Sequence, residues 1–245
     1  NIGLNKTIHV FGPPGISRQV HCKLLAYTWN LLSEEHLNVV VSEIEIDRVT
    51  EYAYFSRDRF EQGHLLRQSD LENRTIYRDP FFKVDCVRAN HIIPCLAYSF
   101  TEHDGWRVDK QKLKDFQHLP GPWLRELIDR LLLRSPLEFE IFISGERYSL
   151  AELKHRLLEP KKGQKLTYVT DTIYSPQTEE IIVELARDSD IFFCEAHFLE
   201  EDYERARESY HLTAKQAGLL AQKSGVQKVI RSEERRVGKE CRSRW

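Results

Sequence analysis

The sequence predicts a layered α/β fold. Three observations carry that reading. Short β-branched and aromatic runs recur at strand length, at residues 7–11, 39–46, 82–86, 92–100, 165–170, 191–194 and 226–230. In the final third these runs alternate with helical segments that carry their own caps, which is the signature of strands and helices packed in layers. The 245 residues are 41% hydrophobic and 30% charged, the balance of a globular chain large enough for one large domain or two small ones.

Taken in order, residues 7–11 form an apolar strand closed by the turn Gly12-Pro13-Pro14-Gly15. Residues 16–32 place Val20, Leu24, Tyr27 and Leu31 on one helical face. Residues 39–46 are β-branched and strand-like. Residues 51–80 are polar, aromatic and irregular, and read as a long loop with short elements. Phe82, Val84 and Cys86 alternate with Lys83 and Asp85, a half-buried strand, and residues 92–100 form another. Residues 104–136 form a mixed, arm-like insertion within a domain read as residues 1–230. Residues 139–144 and Arg147-Tyr148 flank Gly145-Glu146, a hairpin signal. Ser149-x-x-Glu152 opens a short helix. The strand at 165–170 runs into Asp171, and Thr178 caps a helix that continues through Ala186. The buried strand at 191–194 delivers Glu195. Thr213-x-x-Gln216 is a second capping box, Gly225 ends its helix, and 226–230 begins the next strand.

Composition excludes several classes. No run reaches the roughly 18 apolar residues of a membrane span, and no basic-then-apolar segment opens the chain as a secretory signal would. Five cysteines without a C-x-x-C pair exclude a cysteine zinc knuckle and a dense disulfide scaffold, so reduced thiols in a cytoplasm are expected. The chain contains no Met, which predicts that the N-terminal part of a longer protein is missing. Residues 231–245 read RSEERRVGKECRSRW and resemble the translation of a sequencing adapter, so they are set apart from the fold as foreign. The alternative is a genuine basic tail for nucleic acid. The 36 Lys and Arg face 38 Asp and Glu, a net charge of −2, and without the tail 30 face 35, a net charge of −5. Bulk charge therefore gives no argument for nucleic acid, and any basic surface must be local.

Polar residues gather just past the strands: Asp171-Thr172, Glu195-Ala196-His197, His211 before a helix cap, and His91 between two strands. Strand ends hold functional groups rigidly while leaving them accessible. An Asp there can offer an oxygen, and a neutral His a nitrogen, to Zn²⁺. Each also has a plainer reading: a structural His, a turn or cap for Asp-Thr, or a helix N-terminal acid for Glu195. The turn at Gly12–Gly15 has no G-K-[ST] after it and reads as structural rather than as a phosphate loop.

The ordered series is more specific than its parts. It comprises VFGPPG at 10–15, His91-x-x-Pro94 with Tyr98, Gly121-Pro122, KLTYVTDT at 165–172, Cys194-Glu195-Ala196-His197-Phe198, and His211-Leu212-Thr213-Ala214-x-Gln216-Ala217. From about residue 6 to 230 this series resembles tRNase Z (ribonuclease Z) of the metallo-β-lactamase superfamily. The resemblance implies an αβ/βα sandwich with two zinc ions at one edge, and cleavage of a phosphodiester at the 3′ end of precursor tRNA. Two such cations about 3.5–4 Å apart activate water and clamp the reacting oxygens. It implies Asp171 as the ligand bridging the metals and His91 as a ligand to one of them. It implies His211 as the proton donor to the leaving oxygen and Glu195 as its orienting partner. The family's His-Glu-Ala-Thr reads Cys194-Glu195-Ala196-His197 here, and its His-Ser-Thr reads His211-Leu212-Thr213. The family's H-x-H-x-D-H lies upstream of the GPPG turn, and a further His ligand follows the strand that opens here at Val226. This chain has neither, so truncation at both ends is expected, and with only His91 and Asp171 left as ligands, an inactive polypeptide.

The insertion falls where the family carries a tRNA-gripping arm with a Gly-Pro motif. Gly121, Pro122, Lys110, Lys112 and Lys114 are the expected substrate contacts, with Trp106 and Trp123 nearby. A solvated lysine face is the alternative. Lys161-Lys162-x-x-Lys165 is a further basic loop. A homodimer is expected from the resemblance alone, and a chain lacking its first strands is expected to expose sheet edges and to be poorly soluble. Two rival functions remain open: hydrolysis of a small phosphodiester or sulfate ester on the same fold, and a non-catalytic RNA-binding or partner subunit.

Overall fold

A computed structural model describes residues 6–30, 37–71 and 73–232. The last two residues of the predicted helix, Leu31 and Leu32, and residues 233–245 of the basic tail lie outside the described residues. Two compact units are present, one of Asn1–Tyr77, Val84–Ser99 and Leu166–Trp245, the other of Arg78–Lys83 and Phe100–Lys165. The elements run β1 (Lys6–Gly12), α1 (Ile16–Leu25), β2 (Leu37–Ile44), β3 (Arg48–Phe55), β4 (His64–Asp70), β5 (Thr75–Arg78), β6 (Phe82–Ala89) and β7 (Cys95–Glu102). Next come β8 (Gly105–Val108), α2 (Lys110–Lys114), α3 (Pro122–Leu132), β9 (Glu140–Ile143), β10 (Glu146–Ser149), α4 (Leu150–Leu157) and β11 (Leu158–Lys161). The chain closes with β12 (Lys165–Val169), α5 (Pro176–Ala186), β13 (Ile191–Cys194), α6 (Tyr203–Glu208), α7 (Ala214–Ser224) and β14 (Lys228–Arg231).

The first unit is built on two sheets, ordered β1-β2-β3-β4 and β14-β13-β12-β7-β6-β5. Alternation along each strand sorts its side chains into layers. On β2, Val39 and Val41 pack toward Val20 and Leu24 of α1, while Ile44 joins Val49, Cys86 and Leu96 between the sheets. On the far face of the second sheet, Val169, Phe192 and Cys194 pack with Ile182 and Leu185 of α5 and Leu220 of α7. The order helix–sheet–sheet–helix is the layered α/β sandwich that the sequence predicts. The second unit buries its own core of Leu127, Ile141, Leu150, Leu153 and Leu157. No helix among the described residues is long and apolar enough to cross a membrane.

The GPPG turn is structural. Gly15 sits at φ 94, a left-handed conformation favourable to glycine, and its N–H and that of Ser17 donate to Glu43 Oε1 at 2.9 and 3.0 Å. The carboxylate of a neighbouring strand thus satisfies donors that the start of α1 leaves free.

Several boundaries differ from the sequence reading. α1 ends at Leu25, and Tyr27 is exposed, because the Trp29 indole donates to the Leu24 carbonyl at 2.8 Å and closes the helix. Residues 51–80 contain most of β3 and all of β4 and β5 rather than a long loop. Their charges pair across strands, as in the two hydrogen bonds from Arg67 to Glu51 at 2.7 and 3.0 Å, and so mask the alternation. β7 starts at Cys95, leaving Ile92 and Ile93 exposed before it. The β9–β10 loop is Ser144-Gly145, with φ 51 and 91, one residue earlier than read; both positive φ values are what a two-residue hairpin of this twist needs. Ser175, not Thr178, caps α5, accepting from the Thr178 N–H at 3.1 Å. β14 runs through Arg231, one residue into the segment set apart as tail.

Phe192 is wholly buried and Phe142 is 63% exposed. Urea unfolding is expected to show a loss of about 3–5 kcal/mol for Phe192→Ala and less than about 1 kcal/mol for Phe142→Ala.

Candidate active site at the strand ends

The register of the second sheet assembles the site. β12 and β13 are parallel and pair Val169 with Cys194, so Asp171 and Glu195 emerge at the same edge. Beyond β13 the chain is zipped to the segment before α7: the Phe198 N–H donates to Leu212 O at 3.3 Å and the Ala214 N–H to Phe198 O at 2.8 Å. That pairing sets His211 beside Glu195. The capping box at Thr213 is complete, with the Gln216 N–H on Thr213 Oγ1 at 3.2 Å and the Thr213 N–H on Gln216 Oε1 at 2.9 Å. It fixes the residue two positions after His211.

Glu195 is 3% exposed. Its Oε1 accepts from the Thr172 N–H at 3.0 Å, the Leu212 N–H at 3.2 Å and His211 Nδ1 at 3.2 Å. Its other oxygen, Oε2, is buried without a hydrogen-bond partner among the described residues. Burial pushes this carboxyl up to about 7; the N–H groups oppose the rise and the nearby Asp171 adds to it. Asp171, exposed at the rim, lies 3.9 Å from His211 Nδ1. Thr172 ties this edge to the loop before β7, accepting from the Asn90 N–H and donating to the Asn90 carbonyl.

His91 comes in from that loop. Its Nδ1 donates to the Tyr210 carbonyl at 3.0 Å, and its ring lies 5.3 Å from that of His211. Tyr210 takes φ 61, a left-handed conformation rare for an aromatic residue. His197 stacks on His211 with ring centroids 5.0 Å apart and planes 22° from parallel. The structure therefore brings together His91, Asp171, Glu195 and His211, and adds Thr172, His197 and the Tyr210 carbonyl. Thr172 was visible as a strand-end residue. His197 stood in the sequence beside Glu195 with no signal of its position, and nothing in the sequence marks Tyr210 as left-handed.

The expected substrate contacts belong to the second unit. Gly121 is the N-cap of α3 and Pro122 its first residue, so this pair starts a helix. Lys110, Lys112 and Lys114 are exposed on α2, which Asp109 caps by accepting from the Gln111 and Lys112 N–H groups at 2.8 and 3.2 Å. Trp106 and Trp123 pack against the second core. Lys161 pairs with Glu102 at 3.3 Å.

Asp171, Glu195 and His211 offer one potential metal-ligand atom each, all within 4.8 Å of one another. Glu195 Oε1 is taken by three N–H donors, His211 among them, while Oε2 is buried without a hydrogen-bond partner among the described residues. His91 has the arrangement of a metal ligand: one ring nitrogen on a carbonyl and the other free. The donor chemistry suits a divalent cation. His211 also keeps Nε2 free, so its bond to Glu195 does not exclude it from metal. With His211 taken as the acid, His91 and Asp171 are the donors left in the site among the described residues, fewer than the three protein ligands of a catalytic zinc.

No protein-family profile matches the chain. It is 28% identical over 222 residues to ribonuclease Z of Deinococcus radiodurans, covering 91% of this chain and 65% of that one. It is 30% identical over 165 residues to ribonuclease Z of Nanoarchaeum equitans, covering 67% and 47%. The crystal structure of a long-form RNase Z from yeast aligns with a TM-score of 0.48 at 15% identity, over 96% of this chain and 25% of that one. The chain thus spans about two thirds of the first relative and half of the second.

A pH prediction follows from Glu195. Its carboxyl in the folded chain lies above its unfolded value, so ionisation costs stability as pH rises from about 4.5 to about 7. In metal-free buffer the chain is expected to lose up to about 3 kcal/mol between pH 4 and 8 from this group. Glu195→Gln is expected to flatten that part of the profile; an unchanged slope would assign it elsewhere. By sequence across 91% of its length, the chain is a relative of the ribonucleases Z.

Proposed function

We propose that this chain is part of a metal-dependent endoribonuclease, with zinc as the metal, that removes the 3′ trailer of precursor tRNA by phosphodiester hydrolysis in the cytoplasm. The observation that carries the proposal is the His211 imidazole held by a buried carboxylate beside Asp171 and His91. With Nδ1 on Glu195, Nε2 of a protonated His211 is free to give its proton to the leaving oxygen. Neutral imidazole then keeps its Nδ1 proton on Glu195, ready to be recharged from water. Glu195 positions His211. His91 and Asp171 would be this chain's share of the metal ligands, and the chemistry such metal would supply is activation of water. Lys110, Lys112 and Lys114 contact the RNA backbone, with Gly121-Pro122 shaping that arm; a homodimer is the expected assembly.

This reading divides the reaction. The residues of this chain provide the acid that assists departure of the leaving group. The ligands for the attacking side among the described residues are His91 and Asp171, so the 245-residue chain alone is expected to retain no stoichiometric zinc after desalting and to leave a trailer-bearing precursor tRNA uncut. Tight zinc or trailer cleavage by this chain would contradict that division.

In a protein of the relatives' full length, His211→Ala is expected to cut turnover by roughly 10²–10⁴ while metal content by mass spectrometry stays unchanged. Loss of metal in that variant makes His211 a ligand and overturns its role as the acid. Charge reversal of Lys110, Lys112 and Lys114 is expected to weaken tRNA binding and spare hydrolysis of a small diester. A parallel fall in both activities removes the arm from substrate binding.

A further inference from the structure

His197 follows Glu195 by two positions, where the family pattern has a threonine. Two observations place it over the acid. Its ring lies 5.0 Å from that of His211 with the planes 22° apart. Its neighbour Phe198 is zipped by backbone hydrogen bonds to Leu212 and Ala214, on either side of Thr213, so the two imidazoles cannot slide apart without breaking that pairing. We infer that His197 is a positioning residue for His211: its ring stacks on the acid and restricts the imidazole to the orientation with Nδ1 on Glu195 and Nε2 outward.

The physical need is clear from the geometry. A single hydrogen bond from His211 Nδ1 to Glu195 Oε1 at 3.2 Å leaves the ring free to rock about that bond, and the last torsion of a histidine side chain is broad. A second flat surface removes that freedom. The other rings near His211, His91 at 5.3 Å and Phe198 at 6.2 Å, are tilted by 51° and 47°, so neither stacks on it. Aromatic pairs of this kind are weak enough that the expected effect on turnover is modest, about 2- to 10-fold, and it falls on turnover rather than on substrate affinity.

This inference rests on the proposed role of His211 as the acid, but its test reads the imidazole directly and needs no activity. Long-range proton–nitrogen NMR of the full 245-residue chain, labelled at histidine and recorded at one fixed pH, reports which ring nitrogen of His211 carries the proton. The wild type is expected to show a single form, protonated at Nδ1. His197→Ala and His197→Leu, the second keeping bulk without a ring, are expected to give averaged His211 signals while the backbone spectrum stays folded. His197→Phe is expected to restore the single form. An unchanged His211 pattern in the folded alanine or leucine variant, or no recovery with phenylalanine, overturns the inference. Failure of the nuclease reading instead appears as absent trailer cleavage by a full-length wild-type protein, whatever the His197 variants show.

Discussion

The site depends on one buried carboxylate. Taking Glu195 out of water costs several kcal/mol unless donors meet it, and two backbone N–H groups and one imidazole meet its Oε1. Those donors come from two separate stretches: the turn after β12 and the lead-in to α7. A group this expensive to bury holds these stretches together, because moving either of them takes donors from the carboxyl. The parallel register of β12 and β13 and the capping box of α7 supply the rigid ends that make the convergence reproducible.

The outer ring of contacts repeats the same logic with weaker bonds. Thr172 links the Asp171 turn to the loop carrying His91, and the Tyr210 carbonyl takes the His91 proton. Tyr210 reaches that position in a left-handed conformation, a strained geometry of the kind that persists where surrounding structure over-determines it. The result is two imidazoles, His91 and His211, each with Nδ1 committed and Nε2 available, beside an exposed aspartate. That pattern serves proton donation and metal binding with the same local chemistry.

Much of this was legible in the sequence where the signal is local. The capping box at Thr213, the strand ends at Asp171 and Glu195, and the ordered motifs picked out four residues that the structure brings together. What escaped was non-local. β3 and β4 hide their period because Glu51 and Arg67 pair across strands, making both look like polar loop. The His91–Tyr210 bond spans 119 residues and depends on a left-handed tyrosine that no composition rule would place. His197 was visible but its partner was not, since stacking on His211 follows from a bridge between two loops. The tryptophans near the expected arm contacts, Trp106 and Trp123, pack against the core of the second unit.

The central claim is that His211 is held by Glu195 for proton transfer, not for metal binding. A crystal structure of a full-length relative-sized protein grown with zinc tests it most directly. The account predicts His91 nitrogen and an Asp171 oxygen about 2.0–2.2 Å from metal, with His211 off the metal and still hydrogen-bonded to Glu195. A metal–His211 bond at that length, with Glu195 turned away, would contradict it.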